Sequence, residues 1–431
     1  MKRFLLTASV ALAAIASPAM AQNVAITGGK LVVGDGSAPV ENATVVIRNG
    51  KVVAAGSGIA VPAGMEQVDA SGKWVTPGIF AGFSRVGLIE VDAVSQTNDE
   101  DADHSPFSAA IDVVPAINPS ASSIAVNRAA GVTRAVVAPG AGRTIFGGFG
   151  AIVDLGEDYD AVTTSHAFQF VELGETGSSR AGGSRAAAHT LFRAMLSEAR
   201  RYARNPAAFE SDLLTRQDAE ALGEIVDGRT RLLVHVERAA DIIQTLKLRQ
   251  EFPALKLVIV GAAEGWLVAD QIAVAGVPVI ASALNDLPEY FEKTAATQSN
   301  IGRMKRAGVQ VSIGMINDRD AHQLRYSTQY AGNLVALNRV PGATGLSWDE
   351  AFATITSGPA KALGLDGAMG SLKAGRVGDV VIWDGDPLEL SSAPVEVYVD
   401  GVRQSLENRQ SKLRDRYRSL DEGQLPRAYD R

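Results

Sequence analysis

Two textures of apolar residues divide the chain. From Val24 to Val75, short apolar runs alternate with turn residues (VAITGG, KLVVGDG, ATVVIRNGKVVAAG, QVDASGKWVTPG), and Asn49-Gly50 signals a tight hairpin. The same texture returns in GDVVIWDGDP (378 to 387) and VEVYVDGVRQ (395 to 404), where Asp400-Gly401 is a second hairpin signal. β-rich pieces from opposite ends of a chain pair when the middle is a closed domain with adjacent termini. The pattern therefore predicts one small β-sandwich assembled from residues 22–77 and 366–406.

Between them, residues 78–365 alternate continuous Val/Ile-rich runs with helical stretches. TRAVVAPG (133 to 140), RLLVHVE (231 to 237), LKLVIVG (255 to 261), VPVIAS (277 to 282) and VQVSIG (309 to 314) read as buried parallel strands. SRAAAHTLFRAMLSEARRYARN (184 to 205) and AADIIQTLKLRQEF (239 to 252) read as helices. No dinucleotide fingerprint opens the repeat, so the expected class is α/β, a (β/α)8 TIM-like barrel. The glycine-rich GAGRTIFGGFG (140 to 150) lacks the Lys and hydroxyl of a phosphate loop and reads as a turn-rich βα loop. No Gly-x-Ser-x-Gly elbow is present. Residues 407–431 form a charged tail with helical character.

Composition narrows the chemistry. Apolar residues at 46%, charged residues at 21% and a mean hydropathy of +0.06 exclude a disordered or polytopic membrane chain. With 41 Lys+Arg against 48 Asp+Glu, there is no basic surplus for nucleic acid. The absence of cysteine rules out disulfides, thiolate metal sites and a cysteine nucleophile. Lys2 and Arg3, the apolar run Phe4 to Ile15 and Ala19-Met20-Ala21 have the form of a secretory signal. Cleavage after Ala21 and a periplasmic, membrane-free mature protein are expected.

Several stretches carry a resemblance: GKWVTPG (72 to 78), DVVPAINPS (112 to 120), LGETGSSRAGGSR (173 to 185), AEGWLVADQIAVAGVPVI (263 to 280) and SGPAKALGLDGAMGSLKAGRVGDVVIWDGDPLE (357 to 389). Together they resemble the amidohydrolase superfamily, nearest its imidazolonepropionase-like, exported dipeptidase-related branch. The resemblance implies one or two divalent metals, typically Zn²⁺, at the C-terminal mouth of the barrel. The implied ligands are a His-x-His pair after the first strand, a Lys or Glu from the fourth, a His from each of the fifth and sixth, and an Asp from the eighth.

Most of those positions hold other residues. The His pair falls on Phe83 and Arg85, which offer a metal no lone pair. The fifth-strand His is His235, with Glu237 following but not counted as its partner. The sixth falls on Gly261, the eighth on Met315 or Ile316, and Glu172 is a weak candidate for the fourth. A rebuilt site would draw on Asp318, Asp320, His322 or Glu264. His104, His166 and His189 are read as bystanders.

Two functions follow. One is hydrolysis of an amide, cyclic amide or dipeptide C–N bond, with Asp318 as general base and His235 as metal ligand or carbonyl polariser. Arg85, Glu237 and His322 would then face the substrate. The metal is expected to be weak or absent. The alternative is a non-catalytic member of the fold, a ligand-binding module or a subunit paired with an intact paralogue or with itself. If the site is dead, His235→Ala is expected to leave stability and metal content almost unchanged.

Overall fold

The computed structural model describes residues 23–316 and 321–418. Its first strands are β1 (Val24–Leu31), β2 (Val40–Arg48), β3 (Lys51–Ser57), β4 (Glu66–Asp69) and β5 (Trp74–Pro77). Asn49 and Gly50, both at positive φ, turn β2 into β3, as the hairpin signal requires.

Eight strands then form the second sheet: β6 (Ile79–Ser84), β7 (Val132–Val137), β8 (Phe146–Asp154), β9 (Val162–Glu172), β10 (Arg231–Val236), β11 (Lys256–Gly261), β12 (Val279–Ala281) and β13 (Val311–Ile313). β6 and β7 are parallel, and so are β9 through β13. The ends of the sheet approach one another to nearly close a barrel, where the Met315 N–H donates to Phe83 O at 2.9 Å. Phe80, Val136, Ile152, Phe168, Phe170, Leu233, Val258 and Ile280 alternate inward and fill its interior. Helices such as Arg185–Arg204, capped by the Ser184 side chain on the Ala187 N–H, cover the outside.

One expectation is corrected. The second half of the stretch read as a turn-rich βα loop, from Phe146 on, begins strand β8, which runs antiparallel between β7 and β9. The barrel is thus not a uniform (β/α)8: a hairpin takes the place of a helical crossover at this point. Glycine is what lets β8 sit there. A Cβ on Gly150 would lie 2.0 Å from the Phe168 ring, so the strand backbone packs directly against an aromatic face.

The chain returns to the first sheet as β14 (Val380–Trp383), β15 (Pro394–Val399) and β16 (Val402–Arg403). β14 pairs antiparallel with β5, matching Val381 to Thr76, and β5 pairs with β1. Both ends therefore share one eight-stranded sheet, wrapped around Val24, Ile26, Val45, Ile47, Val380, Ile382 and Tyr398. The two sheets meet at the barrel base through Arg134 of β7, which is 3% exposed. Its guanidinium spans Asp379 at 2.8 Å, Asp400 at 2.5 Å and Asp154 at 3.7 Å. The helix Arg409–Tyr417 in the charged tail buries none of its side chains. No helix among the described residues is long and apolar enough to cross a membrane.

Candidate functional site

The C-terminal ends of the parallel strands set the site. Inward-facing positions on β9 (Phe168, Phe170) and β10 (Leu233) put the next inward side chains, Glu172 and His235, side by side at the rim, as their backbone register also requires. His235 Nδ1 is 2.6 Å from Glu172 Oε1, and its Nε2 is 3.2 Å from Glu237 Oε1. Glu237 lies just past the end of β10. Side chains two apart in a strand share a face, so the sequence reading that left Glu237 out of His235's reach is corrected.

Glu237 is 1% exposed and fully engaged. Its Oε2 accepts the Ala263 N–H at 2.7 Å, and the Lys293 ammonium reaches Oε1 at 3.3 Å. Lys293, from the turn Phe291–Lys293 after β12, was not singled out from the sequence. The four groups form a ladder of alternating charge: Glu172, His235, Glu237, Lys293.

Burial alone would discharge both inner members, but their neighbours prevail. Desolvation pulls the His235 pKa down, yet the Glu172 carboxylate and then Glu237 hold it well above the usual histidine value. Burial pushes Glu237 up, and its bond to His235, that charge and Lys293 bring it below the ordinary glutamate range. Carboxylates at both ring nitrogens of His235 favour the protonated ring.

The other positions serve packing. Phe83 packs against Phe170 in a tilted pair with ring centres 5.6 Å apart, filling the barrel where the implied His pair would project. Arg85 pairs with Glu100 at 2.8 Å, in the connection after β6, so it does not neutralise Glu237. Met315 and Ile316 are buried apolar side chains. Glu264 accepts the N–H groups of Ala239 and Ala295. His322 is seated against Asn127, whose side-chain amide donates to its carbonyl, and against Gln323. Asp318 and Asp320 lie outside the described residues. His166 stacks on Phe149 and meets Asp112, and His104 is exposed. Among the described residues, no group of three or more His, Cys, Asp or Glu is arranged to hold a metal ion.

Gly261 has a definite reason to lack a side chain. Its φ is +92°, and a Cβ there would fall 2.8 Å from the Glu237 carboxyl carbon. The sixth-strand position has given up its volume to Glu237. Gly261→Ala is expected to cost about 2 kcal/mol from backbone strain and crowding together. Gly261→His is expected to cost at least as much and to gain no Zn²⁺-dependent rise in Tm; a His variant as stable as the parent and stabilised by Zn²⁺ would overturn this account.

A nearly closed barrel with its titratable groups at the strand C-termini thus stands beside a sheet made from both chain ends. Residues 289–403 match the amidohydrolase family model. A 60-residue stretch, 14% of the chain, is 45% identical to amidohydrolase tasK of Hapsidospora irregularis and spans only 6% of that protein. An amidohydrolase structure from Thermotoga maritima MSB8 superposes with a TM-score of 0.78 at 23% identity, covering 88% of this chain and 99% of its own. Molinate hydrolase follows the same path at a TM-score of 0.55 and 18% identity, over 90% of this chain and 95% of its own. Phenylurea hydrolase B does so at 0.53 and 14%, over 89% and 97%. At these identities the structural likeness establishes the fold.

Proposed function

We propose that this is an amidohydrolase-superfamily protein of the imidazolonepropionase-like, exported dipeptidase-related branch whose metal site is degenerate. Its barrel mouth takes a small amide, cyclic amide or dipeptide without the superfamily's metal chemistry. The observation that carries the reading is the state of His235. A metal ligand needs a free lone pair, and each ring nitrogen of His235 instead faces a carboxylate oxygen, at 2.6 and 3.2 Å. The remaining inward positions offer an aromatic ring, a hydrogen and apolar side chains, so the donor set as folded does not fit a divalent cation. The neighbours named as hydrolases support amide-type ligands as the class to test first.

In this reading the residues bind and do not turn over. A ligand amide at the mouth would meet the Glu172 and Lys293 ends of the ladder as acceptor and donor, while Phe83, Phe170 and Ile316 form the floor. Such a protein suits a role as a ligand-binding subunit, alone or with an intact paralogue, after export to the periplasm.

A second reading keeps catalysis. Glu172, His235 and Glu237 are three oxygen or nitrogen donors already gathered, and a C–N hydrolase could complete them with Asp318 as base. Elemental analysis after dialysis against excess Zn²⁺ and Mn²⁺ separates the two. Near-zero metal, with calorimetric binding of a dipeptide or lactam but no hydrolysis, is the expected result. About one tightly held metal per chain would sink the degenerate-site reading.

A further inference from the structure

We propose that the barrel base carries a self-complementary interface for a second copy of this chain: the basic helix Arg409–Tyr417 of each copy docks on the acidic turn 157–160 of the other. This surface lies at the opposite end of the barrel from His235, so the inference stands apart from the function proposed above.

The two patches are neighbours on one face. The turn joins β8 to β9, and the helix follows β16. Arg128, on the helix Ser122–Ala129, fastens their roots together. Its guanidinium donates to the carbonyls of Leu155 and Gly156 at 3.0 and 3.1 Å, and to that of Ser405 at 3.4 Å. The Glu157 N–H donates to the Gln404 side chain at 2.9 Å. Helix and turn are therefore held side by side through backbone groups, which leaves most of their charged side chains uncommitted.

The helix presents a stripe with nothing on it. Arg409, Lys412, Leu413 and Arg416 recur at helical spacing on one side, with Tyr417 next to them, and no side chain of the helix is buried. Residues 409–418 hold five cations and one carboxylate, in a chain whose net charge is −7. The helix forms only local ion pairs, Lys412 with Glu407 at 3.7 Å and Arg414 with Asp415 at 2.9 Å. The turn is its counterpart in sign: Glu157, Asp158 and Asp160 surround Tyr159, which is 84% exposed. Glu157 meets Arg128 at 3.8 Å, and among the described residues no ion pair joins the turn to the helix of its own chain.

Adjacent patches of opposite sign fit a two-fold axis between them. That operation sets each helix against the other copy's turn, so both contacts form at once. Tyr159 and Tyr417 add aromatic faces on which the opposing arginines can lie, and Arg and Tyr are the side chains that interfaces favour. An anionic membrane fits less well, because docking the helix there would press the neighbouring carboxylates against like charge.

The test is sedimentation velocity of the mature chain. The parent is expected to be a dimer at low salt, with a Kd that rises about tenfold or more in roughly 0.5 M NaCl. Arg409→Glu/Arg416→Glu and Glu157→Lys/Asp160→Lys should each be monomeric. An equal mixture of the two should form a heterodimer, because the reversed helix then faces the reversed turn and the unaltered pair is kept as well. Tyr159→Ser, a change at an exposed side chain outside every ion pair, should weaken the dimer about tenfold and keeps the test open if a charge-reversed variant fails to fold. A monomeric parent at low salt, a dimer that survives both reversals, or reversed variants that fold but do not pair on mixing would each overturn the proposal. So would a monomeric parent that binds phosphatidylglycerol vesicles through Arg409 and Arg416, which would assign the helix to a lipid surface.

Discussion

Arg134→Met is expected to destabilise the protein by about 3–5 kcal/mol, because it strands buried carboxylates that the guanidinium now compensates. Arg134 bonds Asp379 through Nε and a terminal nitrogen, at 2.8 and 3.3 Å, and Asp379 is 6% exposed. Asp379 also accepts the Asp400 N–H at 2.9 Å, so one carboxylate ties the β15–β16 turn to the barrel base. Asp154 is already poorly compensated: burial outweighs Arg134 and lifts its pKa to about 7. A carboxyl raised in the folded state contributes stability below its unfolded pKa and loses it as pH rises through the folded value. Without Arg134, Asp154 and Asp400 rise further and take up protons. The variant should therefore lie closer to the parent at pH 5 than at pH 8 in urea unfolding. Equal losses at the two pH values would show that the guanidinium acts by packing alone.

That junction was half legible in the sequence. The stretch 357 to 389, which holds Asp379, stood among the family-like segments, and the hairpins at Asn49-Gly50 and Asp400-Gly401 announced their sheet directly. The continuous runs at 133–140, 231–237, 255–261, 277–282 and 309–314 each overlap the strand they predicted, because buried parallel strands leave an unbroken apolar signature. β8 escaped for the opposite reason. Its glycines, required where the backbone lies on Phe168, imitate a loop. The site was legible in what it lacks: Phe83, Arg85 and Gly261 at ligand positions. What replaced the ligands was harder to see. Glu172 and His235 are far apart in sequence and meet through strand register, and Glu237 required the period-2 rule to be carried past the strand end. Lys293 sits in a polar turn that no periodicity marks, and its significance comes only from the carboxylate it meets.

The ladder also changes what His235→Ala should do. A dead site suggested a silent mutation, but the variant would leave Glu172 and the almost fully buried Glu237 facing each other without the cation between them. A loss of about 2–3 kcal/mol is expected, chiefly the cost of unpaired buried charge. The pH dependence is specific. The folded pKa of His235 is raised, so its contribution is complete below the ordinary value of 6.5 and fades as pH rises through the folded pKa. Glu237 is lowered, so its contribution is present above its ordinary 4.5 and fades as pH falls through the lower folded pKa. The ladder is therefore strongest between those two values, and the gap between parent and variant should be widest there and narrow on the alkaline side. His235→Gln, which can still donate to one carboxylate, should recover part of the loss without restoring the alkaline decline. Unfolding curves of parent and Ala variant that coincide near pH 5.5 would mean that the imidazolium does not join the two glutamates.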